Sequence, residues 1–288
     1  MRGTSRLFNS PIHGEGAPNP RQRAFGHVRA TFARAGARTE AARAYETGGL
    51  RLRFPHSGPE CECVIVNTGG GMAGGDRAKV EMSVQTDARV MVTTQAAEKI
   101  YRADGAPILA NVNLAVAAGG SLVWAPQETL LFEGAHLNRR LQADVAPDAS
   151  LLILESVVFG RLAHGETRID AAFHDSWRIS RGGRLLFAEA LRLDDAGPQL
   201  DRRAIGAGAR ALATLLWVGG PAPAKLDALR AALDETMAAP GERLEAGASA
   251  FDGLLVARLA SPAPHRLRAG IVAAMRVLRG REAPRVWA

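Results

Sequence analysis

Four glutamates sit at even distances from the apolar residue that opens their stretch of chain. Glu98 is eight residues after Val90, Glu128 six after Leu122, Glu155 four after Leu151 and Glu189 four after Leu185. In an unbroken strand, residues an even number apart share a face, so these carboxylates point with the apolar anchors into the core. A buried carboxylate is costly unless it is paired, hydrated or bound to a metal. Such a set is a candidate for holding or passing a cation, or for acid and base work on a sugar. A break at Pro126, or a bulge, would invert the parity and return some of them to the surface. Asp76 and Glu166, in polar turns, complete the candidate group.

The densest motif is Asn67-Thr-Gly-Gly-Gly-Met-Ala-Gly-Gly-Asp76, in which Gly69, Gly71 and Gly74 satisfy G-x-G-x-x-G after the strand-like Val64-Ile65-Val66. A dinucleotide site then needs a helix to receive the pyrophosphate. Arg77 to Val84 alternates like a strand instead, so the context fails. The glycines, Gly70 and Gly75 included, read as a tight strand-to-strand turn, with Asp76 capping it. No G-x-x-x-x-G-K-[ST] occurs, so the chain is not itself a P-loop GTPase. Seven scattered histidines include no pair at i, i+2 or i+4, and no firm metal-ligand set emerges. Cys61 and Cys63 share a strand face, but two thiols do not close a tetrahedral site.

These residues need a scaffold, and period two dominates from about His27 to Arg192, as in Val80, Met82, Val84 and in Val112, Leu114, Val116. Four segments share a layout of apolar residue, five-residue turn and second apolar residue: Val84–Val90, Val116–Leu122, Val145–Leu151 and Ile179–Leu185. Their starts lie 32, 29 and 34 residues apart. Such spacing suggests stacked units that cannot each bury an apolar face alone; the alternative is an ordinary sandwich. Helical spacing appears at 225–239 and 264–279. The expected fold is mainly β, a β-helix-like stack of strands with two C-terminal α-helices.

Residues 1–25, rich in Pro, Gly and Arg, read as a disordered extension, 26–280 as one β domain, and 281–288 as a basic tail. The formal charge of +7 comes from the ends: four arginines against one glutamate in residues 1–23, and six against one in 265–288. The body between them is close to neutral. With only 5% aromatic residues it does not look like a nucleic-acid surface. The same scarcity, with two tyrosines, argues against a sugar-stacking groove and hence against a β-solenoid carbohydrate-active enzyme. No apolar run reaches 18 residues, so no membrane partner is expected. The N-terminus lacks the apolar core of a signal peptide, and the expected location is cytoplasmic.

Several blocks together resemble the UreD/UreH family of urease accessory proteins. They are 67–76, Thr93-Thr-Gln-Ala-Ala-Glu-Lys-Ile-Tyr101, Trp124-Ala-Pro-Gln-Glu-Thr-Leu-Leu-Phe132, Glu155-Ser-Val-Val-Phe-Gly-Arg161 and Phe187-Ala-Glu-Ala-Leu-Arg-Leu193. Within them Gln95, Lys99, Tyr101, Gln127 and Gly160 stand with the glycines as structural-motif residues. The resemblance implies a non-enzymatic chaperone in a complex with UreF, the GTPase UreG and apo-urease. It implies that nickel passes from UreG toward the urease active site through an internal tunnel, with no cofactor bound stably. On that reading Asp76, Glu98, Glu128, Glu155 and Glu166 line the nickel path, since oxygen ligands hold Ni²⁺ less tightly than imidazole or thiolate and suit transit.

Overall fold

A computed structural model describes residues 23–55, 60–220 and 222–287. The chain opens with β1 (Phe25–Ala35), β2 (Arg38–Thr47), β3 (Leu50–Arg53) and β4 (Cys61–Asn67). It then shuttles between two sheets through β5 (Arg77–Val84), β6 (Arg89–Thr94), β7 (Glu98–Ile100), β8 (Ile108–Val116), β9 (Ser121–Trp124) and β10 (Thr129–Leu131). β11 (His136–Val145), β12 (Ser150–Phe159), β13 (Ala172–Arg181) and β14 (Arg184–Leu193) follow. The last part comprises α1 (Ala196–Asp201), β15 (Ala211–Val218), α2 (Ala222–Ala238), β16 (Glu245–Phe251), β17 (Leu254–Ser261) and α3 (Pro264–Arg279).

One sheet runs β14-β13-β11-β8-β5-β1-β2, the other β16-β17-β15-β12-β9-β6-β4-β3, with β10 and β7 beside β12. The five middle strands of the first sheet are mutually parallel, as are β4, β6, β9 and β12 of the second. Parallel neighbours need crossovers, and here each crossover runs through the facing sheet, preceded between β1 and β5 by the β1–β2 hairpin, which makes the stacked coils expected from the repeat. The repeat anchors lie side by side: Val84, Val116 and Val145 in one sheet, Val90, Leu122 and Leu151 in the other. The fourth segment differs. Ile179 pairs with Ala143, not Val145, and its turn closes the antiparallel β13–β14 hairpin within one sheet. A Gly182-Gly183 turn at positive φ supplies that reversal.

Facing side chains of the two sheets form one large apolar cluster and a second around Ile100, Leu137 and Phe173. A third cluster lies on the far side of the second sheet, under α2 and α3. Both helices fall where helical spacing put them. α1 was not expected: a six-residue helix containing Gly-Pro has weak intrinsic propensity, and it forms because Ala196 and Leu200 plug the second cluster. The C-terminal segment is not a solvated tail at Trp287, which is 2% exposed and donates its indole N–H to Ala125 O at 3.2 Å. Of the extension expected to be disordered over residues 1–25, residues 1–22 lie outside the described residues, whereas Ala24 is bonded to Asp76 and Phe25 opens β1. Among the described residues, no helix is long and apolar enough to cross a membrane.

The Gly-rich segment leads into β5, a strand, so no helix follows it. It presses on the chain around Lys99–Tyr101: Met72 N–H donates to Lys99 O, and Tyr101 N–H to Met72 O, both at 2.8 Å. A Cβ on Gly71 would stand 2.5 Å from the Tyr101 ring and 2.7 Å from Lys99 O, so only glycine fits. Asp76 uses both oxygens as a staple, accepting from Ala24 N at the head of β1 and from Ala73 N, each at 2.8 Å. Replacing Asp76 with Ala leaves two partly buried donors without that acceptor. Thermal or denaturant unfolding should show a loss of about 2–4 kcal/mol from the bonds to a charged acceptor. A change below about 0.5 kcal/mol would contradict the staple.

Candidate functional site

Three charged residues occupy inward positions that alternation reserves for apolar ones. On β11 Arg139 stands between Leu137 and Leu141, on β12 Glu155 between Ile153 and Val157, and on β13 Asp175 between Phe173 and Trp177. In each triplet the apolar neighbours belong to different interior clusters, so the charges form a polar seam that divides the core. Arg139 and Asp175 are register partners, and the guanidinium grips that carboxylate through Nε at 3.0 Å and Nη2 at 2.6 Å. Its Nη1 donates to Glu155 Oε2 from the facing sheet. Two indoles complete the shell: Trp124 Nε1 donates to Glu155 Oε1 at 2.8 Å, and Trp177 Nε1 to Asp175 Oδ2 at 3.1 Å.

The side chains of Arg139, Glu155 and Asp175 are no more than 10% exposed. With all three ionised, two carboxylates share one guanidinium, leaving an excess negative charge where the dielectric is low. Burial pushes the Glu155 carboxyl above its ordinary range. The Asp175 carboxylate pushes the same way, and together they outweigh Arg139 and the Trp124 indole. The seam continues across the second sheet through Thr214 to Arg258, register partners in turn of Glu155 and Thr214. There Glu189 accepts from the exposed Arg258 at 2.8 Å. A cavity of about 30 Å³ lies against Arg139, Glu155, Asp175, Glu189 and Thr214, room for about one water or a partly dehydrated cation.

The other sequence-derived candidates divide between the two sides of the second sheet. Glu98 faces inward with Ile100; Asn67 Nδ2 donates to it at 2.8 Å, and burial raises its pKa. It pairs with Thr129, whose other register partner is Val157, so it sits two strands across from β12 and one inward position beyond Glu155. Glu128 does not join them. The chain leaves β9 after Trp124, passes Pro126, and turns Glu128 to the helix side, where Arg268 of α3 donates to it at 2.8 Å. The even parity from Leu122 therefore fails at Pro126. Glu166 lies outside the strands and is held by the Arg161 guanidinium and by Arg161 N. Asp76 is the staple described above.

The remaining motif residues are structural in their contacts. Tyr101 donates its hydroxyl to Gly70 O at 3.3 Å and meets Phe132 edge-on. Gln95 and Lys99 are exposed, with Gln95 N–H bonded to Ile65 O at 3.0 Å. Gln127 is buried, accepts from Arg268 and donates to Val286 O. Gly160 has φ +92, and a Cβ there would meet Glu166 O at 2.2 Å. Cys61 and Cys63 do share the inner face, but burial pushes both thiols up, Cys61 to about 11, so neither is a ready thiolate. Among the described residues, no three His, Cys, Asp or Glu side chains converge as a closed metal site. Sequence reasoning missed Arg139, Asp175, Trp124 and Trp177. The available signal was a charge at the apolar phase of an alternating strand, as in Leu137-x-Arg139-x-Leu141 and Phe173-x-Asp175-x-Trp177.

A family model described as UreD urease accessory protein matches residues 24–288. The chain is 49% identical over 281 residues to urease accessory protein UreD 2 of Methylorubrum populi, covering 94% of this chain and 93% of the relative. It is 43% identical over 275 residues to urease accessory protein UreD of Azorhizobium caulinodans, covering 95% and 99%. Urease accessory protein UreD 3 of Methylorubrum extorquens is 49% identical over 296 residues, covering 99% and 98%.

The charge balance of the seam can be read by substitution. Arg139→Met strands two buried carboxylates and should cost roughly 3–5 kcal/mol in unfolding, whereas Glu155→Gln should cost far less. The pH dependence has a definite sign. A carboxyl that holds its proton more tightly when folded loses stability as pH rises from 4.5 through its raised value. Wild type should show a larger loss than Glu155→Gln, in which the buried Glu98 carboxyl still contributes. Parallel pH profiles for the two chains would contradict the assignment.

Proposed function

This chain belongs to the UreD family of urease accessory proteins, and from that premise we propose that it is a non-catalytic scaffold that binds apo-urease, together with UreF and UreG, and assists insertion of nickel. The observation that carries the reading is the burial of two carboxylates, Glu155 and Asp175, against the single guanidinium of Arg139, which leaves a negative charge in excess when all three are ionised. Such a site favours a proton or a cation, and its carboxylate oxygens suit passage of Ni²⁺ more than storage. Nickel is the cargo, held in transit and not as a resident cofactor. The path runs along the inward carboxylates, Glu155 and Glu98, with Glu189 at the sheet edge. Asp76, Glu128 and Glu166 serve as structural supports of the elements around it. A polysaccharide-cleaving role at these buried carboxylates is disfavoured, because the cavity of about 30 Å³ beside them admits no sugar ring, and the relatives carry accessory-protein names. A soluble cytoplasmic setting fits this role.

Exposed Phe25, Tyr45 and Tyr101, each at least 40% accessible, support partner contact. Soluble yield should therefore rise on co-expression with UreF, with co-purification of the two chains.

The path itself is tested with Glu155→Gln and Glu98→Gln in cells expressing urease and all accessory proteins at limiting nickel. Both variants should co-purify with apo-urease and UreF, yet leave urease with less nickel per active site and correspondingly less activity. Full activation by both would overturn the path. Loss of the complex would make these carboxylates structural.

A further inference from the structure

The near-neutral total of the folded body hides an uneven distribution. The outer face of the second sheet is covered by α2, α3 and Trp287, but among the described residues no element covers the outer face of the first. Parallel sheets usually have both faces covered, and five strands of this one are parallel. Its bare face is polar and cationic. One lateral row joins Lys79, Asn111 and Arg140; the next joins Arg29, Glu81, Asn113, Gln142 and Arg178. A third joins Arg77 to His174 and Arg192 through Leu109 and Asn138.

Of these cations, Arg29, Arg77, Arg140, Arg178 and Arg192 are exposed. Three carboxylates share the region. Glu81 is spent on His27, Arg29 and Lys79, and Asp194 on His174 and Arg192. Asp144 is the third. Among the described residues Arg77, Arg140 and Arg178 have no carboxylate partner, and Arg178 bonds only backbone carbonyls. Seven strands at about 4.8 Å spacing make a face about 30 Å wide, which matches the roughly 800 Å² per partner of a standard protein interface. A depression of about 410 Å³ beside Gln142 and Arg178 breaks its flatness.

We propose that this face is a docking surface for an acidic protein surface, steered by the unpaired arginines Arg77, Arg140 and Arg178. Charge complementarity of this kind sets partner choice and on-rate. A single-stranded nucleic acid fits less well, because it needs aromatic platforms among the cations, and the exposed aromatics in line with these rows stand only at their β1–β2 end, Phe25 beside Arg77 and Tyr45 beside Arg29, with none beside Arg140 or Arg178. The inference rests on charge placement alone and stands or falls independently of the nickel role.

The test uses the full chain and two labelled probes of equal charge, poly-L-glutamate and oligo(dT), followed by fluorescence anisotropy at low salt. Poly-L-glutamate should bind, and binding should fall steeply toward 0.5 M salt, where screening acts within a few ångströms. Arg140→Glu with Arg178→Glu should weaken it at least tenfold. Reversal of the exposed Arg202 and Arg203, which lie outside the strands of this sheet, should leave it unchanged. If the double reversal fails to fold, Arg140→Gln with Arg178→Gln serves, with at least a threefold loss expected. The proposal is overturned by absence of poly-L-glutamate binding, by equal effects of the two arginine pairs, or by tighter binding of oligo(dT).

Discussion

Arg139, Glu155 and Asp175 meet where water screens little, so removing the guanidinium would strand two buried carboxylates, whereas neutralising one carboxylate would leave a balanced ion pair. Each comes from a different strand, and the contact between them spans both sheets. Their position therefore depends on every coil keeping its register, because a slip of one residue would turn the charged triplet to the opposite faces of its sheets. The Trp124 and Trp177 indoles, each with its ring in the large apolar cluster, spend their one donor on these carboxylates. Packing and charge are thus coupled. The aliphatic core holds the seam in place, and the seam keeps the two clusters from merging into one interior.

Much of the coil architecture was readable from residue types and spacing. Val84, Val116 and Val145 recur at nearly constant intervals because each opens the same turn from one sheet to the other, and they end up side by side. The period-3.6 helices were readable for the same reason, one apolar stripe per helix. The fourth repeat looked alike but was not. Five residues between apolar anchors can turn a chain to the facing sheet or fold it back as a hairpin, and only the partner strand decides. α1 could not be seen because its formation depends on tertiary burial of Ala196 and Leu200.

The site was half readable. Parity placed Glu155 inward along an unbroken β12, and it held for Glu98 although the strand breaks between Thr94 and Glu98. It misplaced Glu128, because Pro126 lacks an N–H for the ladder and the chain crosses from one face to the other at that point. Counting carboxylates alone also hid the cation. Arg139 is what makes the cluster tolerable, and a basic residue at an apolar phase deserved the same weight as an acidic one. Charge distribution was the least readable property. A chain neutral in sum over its body can still segregate cations on one sheet face, and that requires knowing which strands are neighbours.

The central claim is that the seam, when fully ionised, carries one negative charge too many and that a proton or a cation relieves it. Carbon-13 NMR of glutamate-labelled full-length chain, with Glu155→Gln to assign the resonance, measures it directly. The account predicts a Glu155 midpoint above the ordinary carboxylate range that moves down when Ni²⁺ is added. A midpoint at or below 4.5, unmoved by Ni²⁺, would contradict it.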